Sequence, residues 1–415
     1  MKRSLTVATD TNVIKTTKQV ERTPFVLWAL ILFMFISVGR IQELIPGFEK
    51  LYPGKVFGIL MLGAYFLYSG EKNRITLRKI PELICILGIL FFGILSIPFG
   101  VWPGNSVYFM LGFLVKDLAF FYIIAHTVTN INQLRKLVFA LLVAVTILSV
   151  SALTGRDELA RISAGVTYDP NDLALLLICA LPFAAFGFFE EKGVKKILLL
   201  LGVGLIIATV IFTHSRGGFI GMIVVGGIIF FKAFKKRKLI AGLLLAGAIV
   251  IFIYLTPQGY WERMSTIVEP GEDYNITSPA GRIEVWKRGL KIMVENPFIG
   301  VGIGNFTTAE GISHKDKGGK WSTAHNSFIQ LGAELGIGGL FLFVLLIYNL
   351  LKTLRKIKSI DPSVKTLKDS LEVSLIGYIT GGFFLSQAYS MILYLIAGMI
   401  IALTCIVKRS DLNHV

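Results

Sequence analysis

The sequence from Leu255 to Gly339 reads LTPQGYWERMSTIVEPGEDYNITSPAGRIEVWKRGLKIMVENPFIGVGIGNFTTAEGISHKDKGGKWSTAHNSFIQLGAELGIGG. It is the only long water-soluble interruption between apolar runs, one of which ends where it begins and one of which starts near Ser327. Because such runs cross membranes as helices, a polar segment between two of them lies outside the hydrocarbon layer. The chain is therefore predicted to be a membrane protein with one large extramembrane loop.

The composition agrees with a membrane location. Of 415 residues, 54% are hydrophobic and 16% are charged, and the mean hydropathy is +0.70. Soluble domains carry about 25% charged residues, so this chain is too apolar to be one. The cysteines Cys85, Cys179 and Cys405 all lie inside apolar runs, which argues against a disulfide framework or a thiolate metal cluster.

Twelve apolar runs follow one another along the chain. Most of them reach roughly the 20 residues that a helix needs to cross about 30 Å of hydrocarbon. They lie near residues 24–42, 56–70, 83–101, 107–126, 134–153, 172–189, 197–214, 217–234, 239–255, 326–351, 371–386 and 389–407. The predicted fold is an all-α polytopic membrane protein with about twelve transmembrane helices, the last two separated only by Ser386 to Ala388.

The distribution of basic residues predicts the orientation. With a cytoplasmic N-terminus, most of the 42 Lys and Arg residues fall in segments on the inner side. The short segment 232–238 (KAFKKRK) is strongly basic, whereas 102–106 contains no Lys or Arg. Short cytoplasmic loops carry such an excess. The formal charge of +16 then reflects orientation and not a nucleic-acid surface, and the long loop faces outward.

The chain accordingly divides into five parts. Residues 1–23 are polar and basic, and they are predicted to form a cytoplasmic tail and not a removable signal. The other parts are membrane helices one to nine over 24–255, an outer loop over 256–325 with an amphipathic helix at 279–296, membrane helices ten to twelve over 326–407, and a cytoplasmic tail over 408–415.

Polar residues concentrate at the outer boundary of the predicted membrane region. In the outer loop 154–171, Asn171 or Asp172 is suited to cap the sixth helix, but a cap needs no cation, so Arg161 is a candidate for binding. Lys116-Asp117 lies inside the fourth span, where charges are often functional, although two opposite charges near a helix end can also pair or reach the interface.

The segment Thr213 to Gly218 (THSRGG) joins the seventh and eighth helices on the outer side. Its glycines permit a tight turn and close approach to a ligand. The eighth helix would begin beside Arg216, with free N–H groups and the positive end of the helix dipole. This combination favours an anion site, although an arginine that reaches outer-leaflet phosphates explains Arg216 as well.

The amphipathic helix of the long loop carries a second arginine. Ser278-Pro279 is typical of a helix start, and a stripe of Ile283, Trp286, Leu290 and Met293 predicts a helix that lies on the membrane surface and ends at Asn296-Pro297. Arg282 and Trp286 are four residues apart and share a face. They could present a guanidinium and a ring on which a sugar stacks, although core packing explains Trp286 equally well.

Two other segments of the loop suggest no chemistry. The glycines of GVGIG at 300–304 lack the spacing of a nucleotide-binding motif, so a turn-rich return to the membrane is predicted. The strip from Lys315 to Lys320 is predicted to be solvated and mobile.

His325 is predicted to begin the tenth helix. A lone histidine is often structural, and no second His, Asp or Glu at ligand spacing indicates a metal site. A histidine at this boundary is nevertheless suited to act as a base near neutral pH. Glu334 lies about half a turn away on the other side of the helix, so it is predicted to bond a neighbouring helix and not His325.

These motifs resemble the O-antigen ligase and polymerase superfamily over about residues 155–345. The similar segments are Ser215 to Gly218, Gly281-Arg282 with Trp286, ENPFIGVGIGNF at 295–306, His325-Asn326, and GAELGIG at 332–338. Members of this superfamily are GT-C-type membrane glycosyltransferases with a large periplasmic loop between the ninth and tenth helices. They transfer a glycan from undecaprenyl diphosphate to an acceptor, which is lipid A-core for ligases and the growing chain for polymerases.

The resemblance implies roles for individual residues. Arg216 and Arg282 would bind the donor diphosphate, and His325 would deprotonate the acceptor hydroxyl. Residues lining the same cavity would be Arg161, Asp169, Asn171, Trp286 and Asn326. The resemblance also implies inversion at the anomeric carbon, no metal or other cofactor, membrane lipids as surroundings, and the inner membrane of a bacterium as location.

Three alternatives stay open at this point. Polymerases and ligases resemble each other too closely for the sequence to separate them. A flippase or secondary transporter for lipid-linked oligosaccharide can also have twelve spans, but internal repeats and midplane charges would be expected. A scaffold subunit of an export complex would not need two outward arginines and a histidine.

Overall fold

The computed structural model describes residues 24–68, 80–155, 161–165, 167–233, 258–265, 278, 281–313 and 321–413. Several predicted features lie outside these residues. They are the tail 1–23, the whole ninth span at 239–255, the proposed first helical residue Pro279, and the strip from Lys315 to Lys320.

The described residues form helices, and the only β pairing among them is an isolated bridge between Ala164 and Tyr168. Two short helical turns, Ile41–Leu44 and Phe48–Leu51, precede α2. The helices are α1 (Pro24–Ser37), α2 (Pro53–Tyr68), α3 (Pro81–Ser96), α4 (Pro103–Thr127), α5 (Ile131–Thr154), α6 (Pro170–Glu190), α7 (Gly193–Phe212), α8 (Arg216–Ala233), α9 (Gln258–Ser265), α10 (Arg282–Glu295), α11 (Phe306–Ser313), α12 (Ser327–Lys356), α13 (Pro362–Gly382) and α14 (Met391–Asn413).

Seven of the described helices are long and apolar enough to cross a membrane, and three shorter apolar helices accompany them. The prediction of an all-α polytopic membrane protein is therefore confirmed for the described residues, whereas the count of twelve stays a prediction. Several boundaries differ from the predicted ones; α13, for example, begins at Pro362 and not near residue 371. Helix α13 ends at Gly382 instead of continuing to residue 386, and α14 continues past residue 407 to Asn413, into the predicted tail.

Helix α6 lies at the centre of the bundle, because its side chains from Leu173 to Phe186 are all buried. It packs against α7, α8 and α13. Pro182 removes one N–H from the helix ladder, and hydroxyl groups of α13 bond to α6 carbonyls nearby: Ser374 to Cys179 at 2.7 Å and Ser370 to Pro182 at 3.3 Å. Polar bonds thus supplement the close packing of two neighbouring helices.

The bundle has two chemically different ends. At one end, here called the site end, the N-termini of α6, α8, α12 and α14 meet the C-termini of α7 and α13. At the other, here called the far end, Arg135 of α5 pairs with Glu190 and Glu191, and Lys232 of α8 pairs with Asp369 and Glu372 of α13.

The glycine-rich segment 297–305 is inserted into a break in α12, which corrects the prediction of a simple turn back to the membrane. Gly336 has φ 71° and ψ −172°, so it interrupts the helix. The freed carbonyl groups are bonded by the inserted segment, with Val301 N donating to Ala333 O at 2.9 Å and Gly302 N to Glu334 O at 3.1 Å. In return, Ile337 N donates to Pro297 O at 2.8 Å.

Positive backbone angles explain the glycines of this insertion. Gly300, Gly302 and Gly304 have φ values of 73°, 96° and 74°, which L side chains rarely adopt. A Cβ on Gly302 would also lie 2.7 Å from the Cα of Gly100. The buried carboxylate of Glu334 accepts a bond from Phe306 N at 3.0 Å and so fixes the start of α11, in agreement with the prediction that it bonds a neighbouring helix.

Candidate active site

Five segments converge at the site end. They are residues 161–172, residues 213–218, the start of α10, residues 321–327 before α12, and the connection 383–390 between α13 and α14. All five belong to connections or first helical turns, where side chains can be presented to a ligand while the bundle holds the backbone.

Arg161, Asn171 and Ser215 form the first group of the site. Arg161 donates from Nε to Thr213 O and from Nη2 to Asn171 Oδ1, both at 3.0 Å. Ser215 Oγ donates to the same amide oxygen at 2.8 Å. Arg161 is therefore oriented by two acceptors on two different segments, and the loop 161–168 is joined to the α7–α8 turn.

The cap of α6 differs from the predicted one. Asp169, and not Asn171 or Asp172, is the N-cap, because its Oδ1 accepts the N–H groups of Asn171 at 2.7 Å and Asp172 at 2.8 Å. Pro170 occupies the first helical position, where a proline costs no hydrogen bond. The side chains of Asn171 and Asp172 are thereby available to the site.

The segment THSRGG makes a tight turn, and Arg216 is the first residue of α8. His214 has φ 48°, and Ser215 Oγ accepts Gly218 N at 3.1 Å as a helix cap. The two glycines lie in the helix and meet protein, because a Cβ on Gly218 would lie 2.8 Å from Ala174 Cβ and one on Gly217 3.2 Å from Phe384 Cβ. Close helix packing therefore accounts for these glycines, which corrects the reading that a ligand requires them.

Arg282 lines a small pocket together with Asn171 and Ser215. It is the first residue of α10, whose N-cap is Gly281, so this helix begins later than the predicted residue 279. The buried face of α10 is formed by Val285, Gly289 and Ile292, whereas Ile283 and Leu290 are 45% and 46% exposed. The predicted stripe is thus divided, since Trp286 and Met293 are partly buried against the protein, and the placement of the stripe on the membrane stays a prediction.

Trp286 connects α10 to the segment before α12. Its Nε1 donates to Ala324 O at 3.0 Å, and its ring meets the edge of Phe383 with centroids 5.6 Å apart. Arg288 and Glu310 reinforce this connection: Arg288 Nε donates to the buried Glu310 at 2.9 Å, and Glu310 accepts Ser322 N at 2.9 Å. The sequence analysis missed this second contact, since no local pattern pairs residues 22 positions apart.

His325 lies just before α12, which begins at Ser327 and not at His325 as predicted. Asn326 is buried and caps the helix, accepting Phe328 N at 2.9 Å and Ile329 N at 3.1 Å. His325 itself has φ 46°, and its backbone N donates to Ser386 Oγ at 2.8 Å. Thr323 Oγ1 lies 3.3 Å from His325 Nε2.

The surroundings of His325 keep its ring neutral. Burial lowers the pKa of the imidazole, Arg282 lowers it further, and Asp169 opposes them, which leaves a pKa of about 4. A ring with this pKa is uncharged at neutral pH and can accept a proton. The site end therefore places a cationic group, Arg282, near a neutral base, His325.

The connection 383–390 supplies contacts that the sequence did not predict. Ser327 Oγ donates to Leu385 O at 2.7 Å and accepts Gln387 N at 3.0 Å. Gln387 Nε2 donates to Asp172 Oδ1 at 2.7 Å, which joins this connection to α6. The only available signal was the polar pair Ser386-Gln387 inside an apolar run.

Two sequence predictions concern residues outside this site or are not tested by it. Lys116 and Asp117 lie in a π-helical turn, Phe113–Leu118, with Lys116 exposed and Asp117 buried. Among the described residues, no three His, Cys, Asp or Glu side chains stand close enough to hold a metal ion. Metal independence therefore stays a prediction.

Fold and site together define an all-helical, polytopic membrane protein with arginines and a neutral histidine at one end of its bundle. The family model described as O-antigen ligase matches residues 201–344, a range that includes Arg216, Arg282 and His325. The predicted resemblance to the O-antigen ligase superfamily is thereby confirmed over residues 201–344.

Individual relatives agree. A Rickettsia conorii protein named as a polysaccharide ligase is 28% identical over 294 residues, which is 66% of this chain and 66% of that protein. The ComP-specific O-oligosaccharyltransferase of Acinetobacter baylyi is 24% identical over 354 residues, 73% of this chain and 63% of that protein. A Rickettsia felis protein, also named as a polysaccharide ligase, is 27% identical over 50% of this chain and 52% of its own length. The chain thus spans no more than 66% of the length of these three relatives.

Proposed function

We propose that this protein is an inverting, metal-independent glycosyltransferase that transfers a glycan from undecaprenyl diphosphate to an acceptor at the periplasmic membrane face. On the basis of the relationship, the proposed reaction is O-antigen ligation, in which the acceptor is lipid A-core. One observation carries the proposal: Arg282 lines a pocket with Asn171 and Ser215, and its charge acts on the base candidate His325.

The arginines suit the chemistry of the leaving group. As the glycosidic bond breaks, negative charge grows on the diphosphate, and guanidinium groups held in place stabilise such charge without a metal. Each charge-assisted hydrogen bond to the diphosphate is worth roughly 1.5–3 kcal/mol. Arg216 and Arg282 are the proposed donor ligands, and Arg161 is held beside them by Asn171 and Thr213.

His325 is the proposed general base. The acceptor oxygen forms a bond to the anomeric carbon while the bond from that carbon to the diphosphate oxygen breaks. The electron pair leaves with undecaprenyl diphosphate, and the hydroxyl proton moves to the unprotonated ring nitrogen of His325. The low pKa of this ring, about 4, keeps it ready to accept the proton at neutral pH.

The location follows from the orientation argument. We place the protein in the bacterial inner membrane with the site end facing the periplasm, because the basic far end is suited to the cytoplasmic side. A reporter fused at Lys317 is expected to be periplasmic and one at Lys236 cytoplasmic. A cytoplasmic Lys317 would put the donor on the wrong side and would refute the proposal.

The direct test is transfer by the purified protein in lipid nanodiscs. Undecaprenyl-diphosphate-linked glycan and lipid A-core are supplied without ATP and with a chelator, and the product is detected by mass spectrometry. Transfer to lipid A-core supports ligation, whereas elongation of the glycan on its lipid supports the alternative of a polymerase. A protein that only moves the intact donor across the bilayer would be a flippase, and the proposal would be wrong.

A deletion strain separates ligase and polymerase in the cell. Loss of a ligase should leave long glycan on undecaprenyl diphosphate, whereas loss of a polymerase should leave acceptors capped with single repeat units. The Acinetobacter relative is named a ComP-specific O-oligosaccharyltransferase, so ComP belongs in the same assay as a third candidate acceptor.

A further inference from the structure

The turn after α1 makes a close contact with the loop that carries Arg161. We propose that Glu43 is a positioning residue that latches the loop 161–168 and thereby fixes Arg161 toward the donor. The part of this inference that concerns the donor rests on the proposed function. The latch itself is a structural statement and can be tested without chemistry.

Glu43 holds the loop through both carboxylate oxygens. Its Oε2 accepts the backbone N–H of Thr167 at 3.0 Å, and its Oε1 accepts the hydroxyl of the same residue. Arg40 lies on the other side, with Nη1 3.7 Å from Glu43 Oε1. Hydrogen bonds to an ionised carboxylate are among the stronger ones in proteins, so Thr167 has a well-defined position relative to the α1–α2 connection.

The backbone of the loop is shaped to receive this carboxylate. Gly165 has φ 61°, and a Cβ on it would lie 2.3 Å from Glu43 Oε2, so only glycine permits the contact. Ala164 and Tyr168 exchange backbone bonds at 3.1 and 3.3 Å, which closes the loop into a small turn. Tyr168 OH donates to Val38 O at 2.9 Å, a second tie to the end of α1.

The latched turn lies directly between two parts of the candidate site. On one side, Ile162 N donates to Phe212 O at 3.3 Å and Arg161 bonds Thr213 and Asn171. On the other side, Asp169 caps α6. Without the latch, Thr167 would lose two of its bonds and the turn closed by Ala164 and Tyr168 would be held less firmly, so the position of Arg161 would be less well defined. Even a small displacement of a group that stabilises a transition state lowers the reaction rate.

The contact between Glu43 and Thr167 does not simply follow from packing in the hydrophobic core. Glu43 belongs to a helical turn of four residues, and its side chain is 12% exposed. A carboxylate that is mostly withdrawn from water in a short turn needs its partners, because burial without them is unfavourable. The loop supplies two of those partners, which indicates that the two segments are fitted to each other.

The test compares three variants in nanodiscs. Glu43→Ala removes the latch, Thr167→Val removes only the hydroxyl bond at similar volume, and Glu49→Ala is the matched control, an exposed glutamate six positions along the same connection. Hydrogen–deuterium exchange reads the latch directly. We expect the Thr167 amide to exchange at least about tenfold faster in Glu43→Ala, less so in Thr167→Val, and unchanged in Glu49→Ala.

Transfer activity then tests the link to Arg161. We expect Glu43→Ala to lower kcat/KM for the donor about tenfold in the wild-type background and not to lower it further in an Arg161→Ala background. Equal losses in both backgrounds would show that Glu43 acts elsewhere. Unchanged exchange at Thr167 would overturn the latch.

The two readouts separate this inference from the proposed function. If wild-type protein transfers no glycan while exchange at Thr167 responds to Glu43→Ala, the proposed function fails and the latch stands. If transfer is normal in the wild type and in Glu43→Ala, the positioning role is wrong and the proposed function stands. Thermal unfolding of each variant in detergent excludes global destabilisation as the cause.

Discussion

The two ends of the bundle differ in the groups that bond their arginines Arg135 and Arg161. At the far end, Arg135 pairs with the carboxylates of Glu190 and Glu191 and also donates a hydrogen bond to Ser363 Oγ. At the site end, Arg161 donates to a backbone carbonyl and to the side-chain amide of Asn171. Carboxylates cancel the charge that they bind, whereas bonds to neutral acceptors orient a guanidinium and leave its charge in place.

This difference indicates that the charged groups at the far end stabilise the fold, whereas those at the site end serve function. At the far end, ion pairs of Arg135 join α5 to the end of α6, and ion pairs of Lys232 with Asp369 and Glu372 join α8 to α13. Arginines oriented beside a neutral histidine are typical of a site that binds an anionic ligand. The comparison therefore predicts that equivalent substitutions at the two ends have different consequences.

The largest expected effect is at His325. His325→Ala should lower transfer by about two orders of magnitude or more, the scale of a lost general base. His325→Gln should be equally inactive, because an amide can bond the acceptor but cannot take its proton. The measurement is kcat in nanodiscs, with donor binding and thermal unfolding as controls. Near-normal turnover of His325→Gln would show that the residue only positions the acceptor.

Arg282→Ala and Arg216→Ala should have the next largest effects. Loss of one charge-assisted bond to the diphosphate is expected to lower kcat/KM about 10- to 100-fold. Lysine should restore only part of the activity wherever the contact is bidentate. Arg288→Lys is a useful comparison, since Arg288 bonds Glu310 and not the pocket. An alanine variant with normal kcat/KM and normal donor affinity would remove that arginine from the site.

Transfer should depend only weakly on pH near neutrality, and this effect should be smaller than those of the substitutions above. The pKa of His325 is lowered to about 4, so the active neutral ring is fully present at pH 7 and is lost only as the pH falls through about 4. An unperturbed histidine would lose activity near pH 6.5 instead. Because Arg282 lowers this pKa, Arg282→Ala should raise it, which NMR titration of the ring can measure. A transition near pH 6.5 in the wild type would contradict the buried environment.

The sequence predicted the helices well because their apolar runs are long and continuous. Where it was incomplete, a distant contact decided the outcome. The partner of Glu334 is Phe306 because segment 297–305 enters the break at Gly336, and nothing near Glu334 in the sequence indicates that insertion. The connection 383–390 likewise gains its role from partners on α6 and α12.

One local error could have been avoided. Three residues that can cap a helix, Asp169, Asn171 and Asp172, surround Pro170. Proline prefers the first helical position, so the residue before it is the expected cap, and Asp169 is indeed the cap. The candidate residues Arg161, Asn171 and Arg282 meet at one end of the bundle, but their meeting depends on helix packing that the sequence does not reveal.

The smallest effect on transfer is expected at the far end. Arg135→Ala removes bonds to Glu190 at 3.1 Å, to Glu191, and to Ser363 at 2.9 Å, which together join α5, α6 and α13. The Arg135 side chain is 37% exposed, so solvent screens these bonds and the loss of stability should be about 1 kcal/mol. Thermal unfolding should detect this loss while kcat/KM stays unchanged. Lys195→Ala is the control, because its amine is 4.0 Å from Glu191 and its side chain is 77% exposed, so it should alter neither quantity. If Arg135→Ala lowered transfer as strongly as Arg282→Ala, the far end would be coupled to the chemistry and the division between the two ends would be wrong.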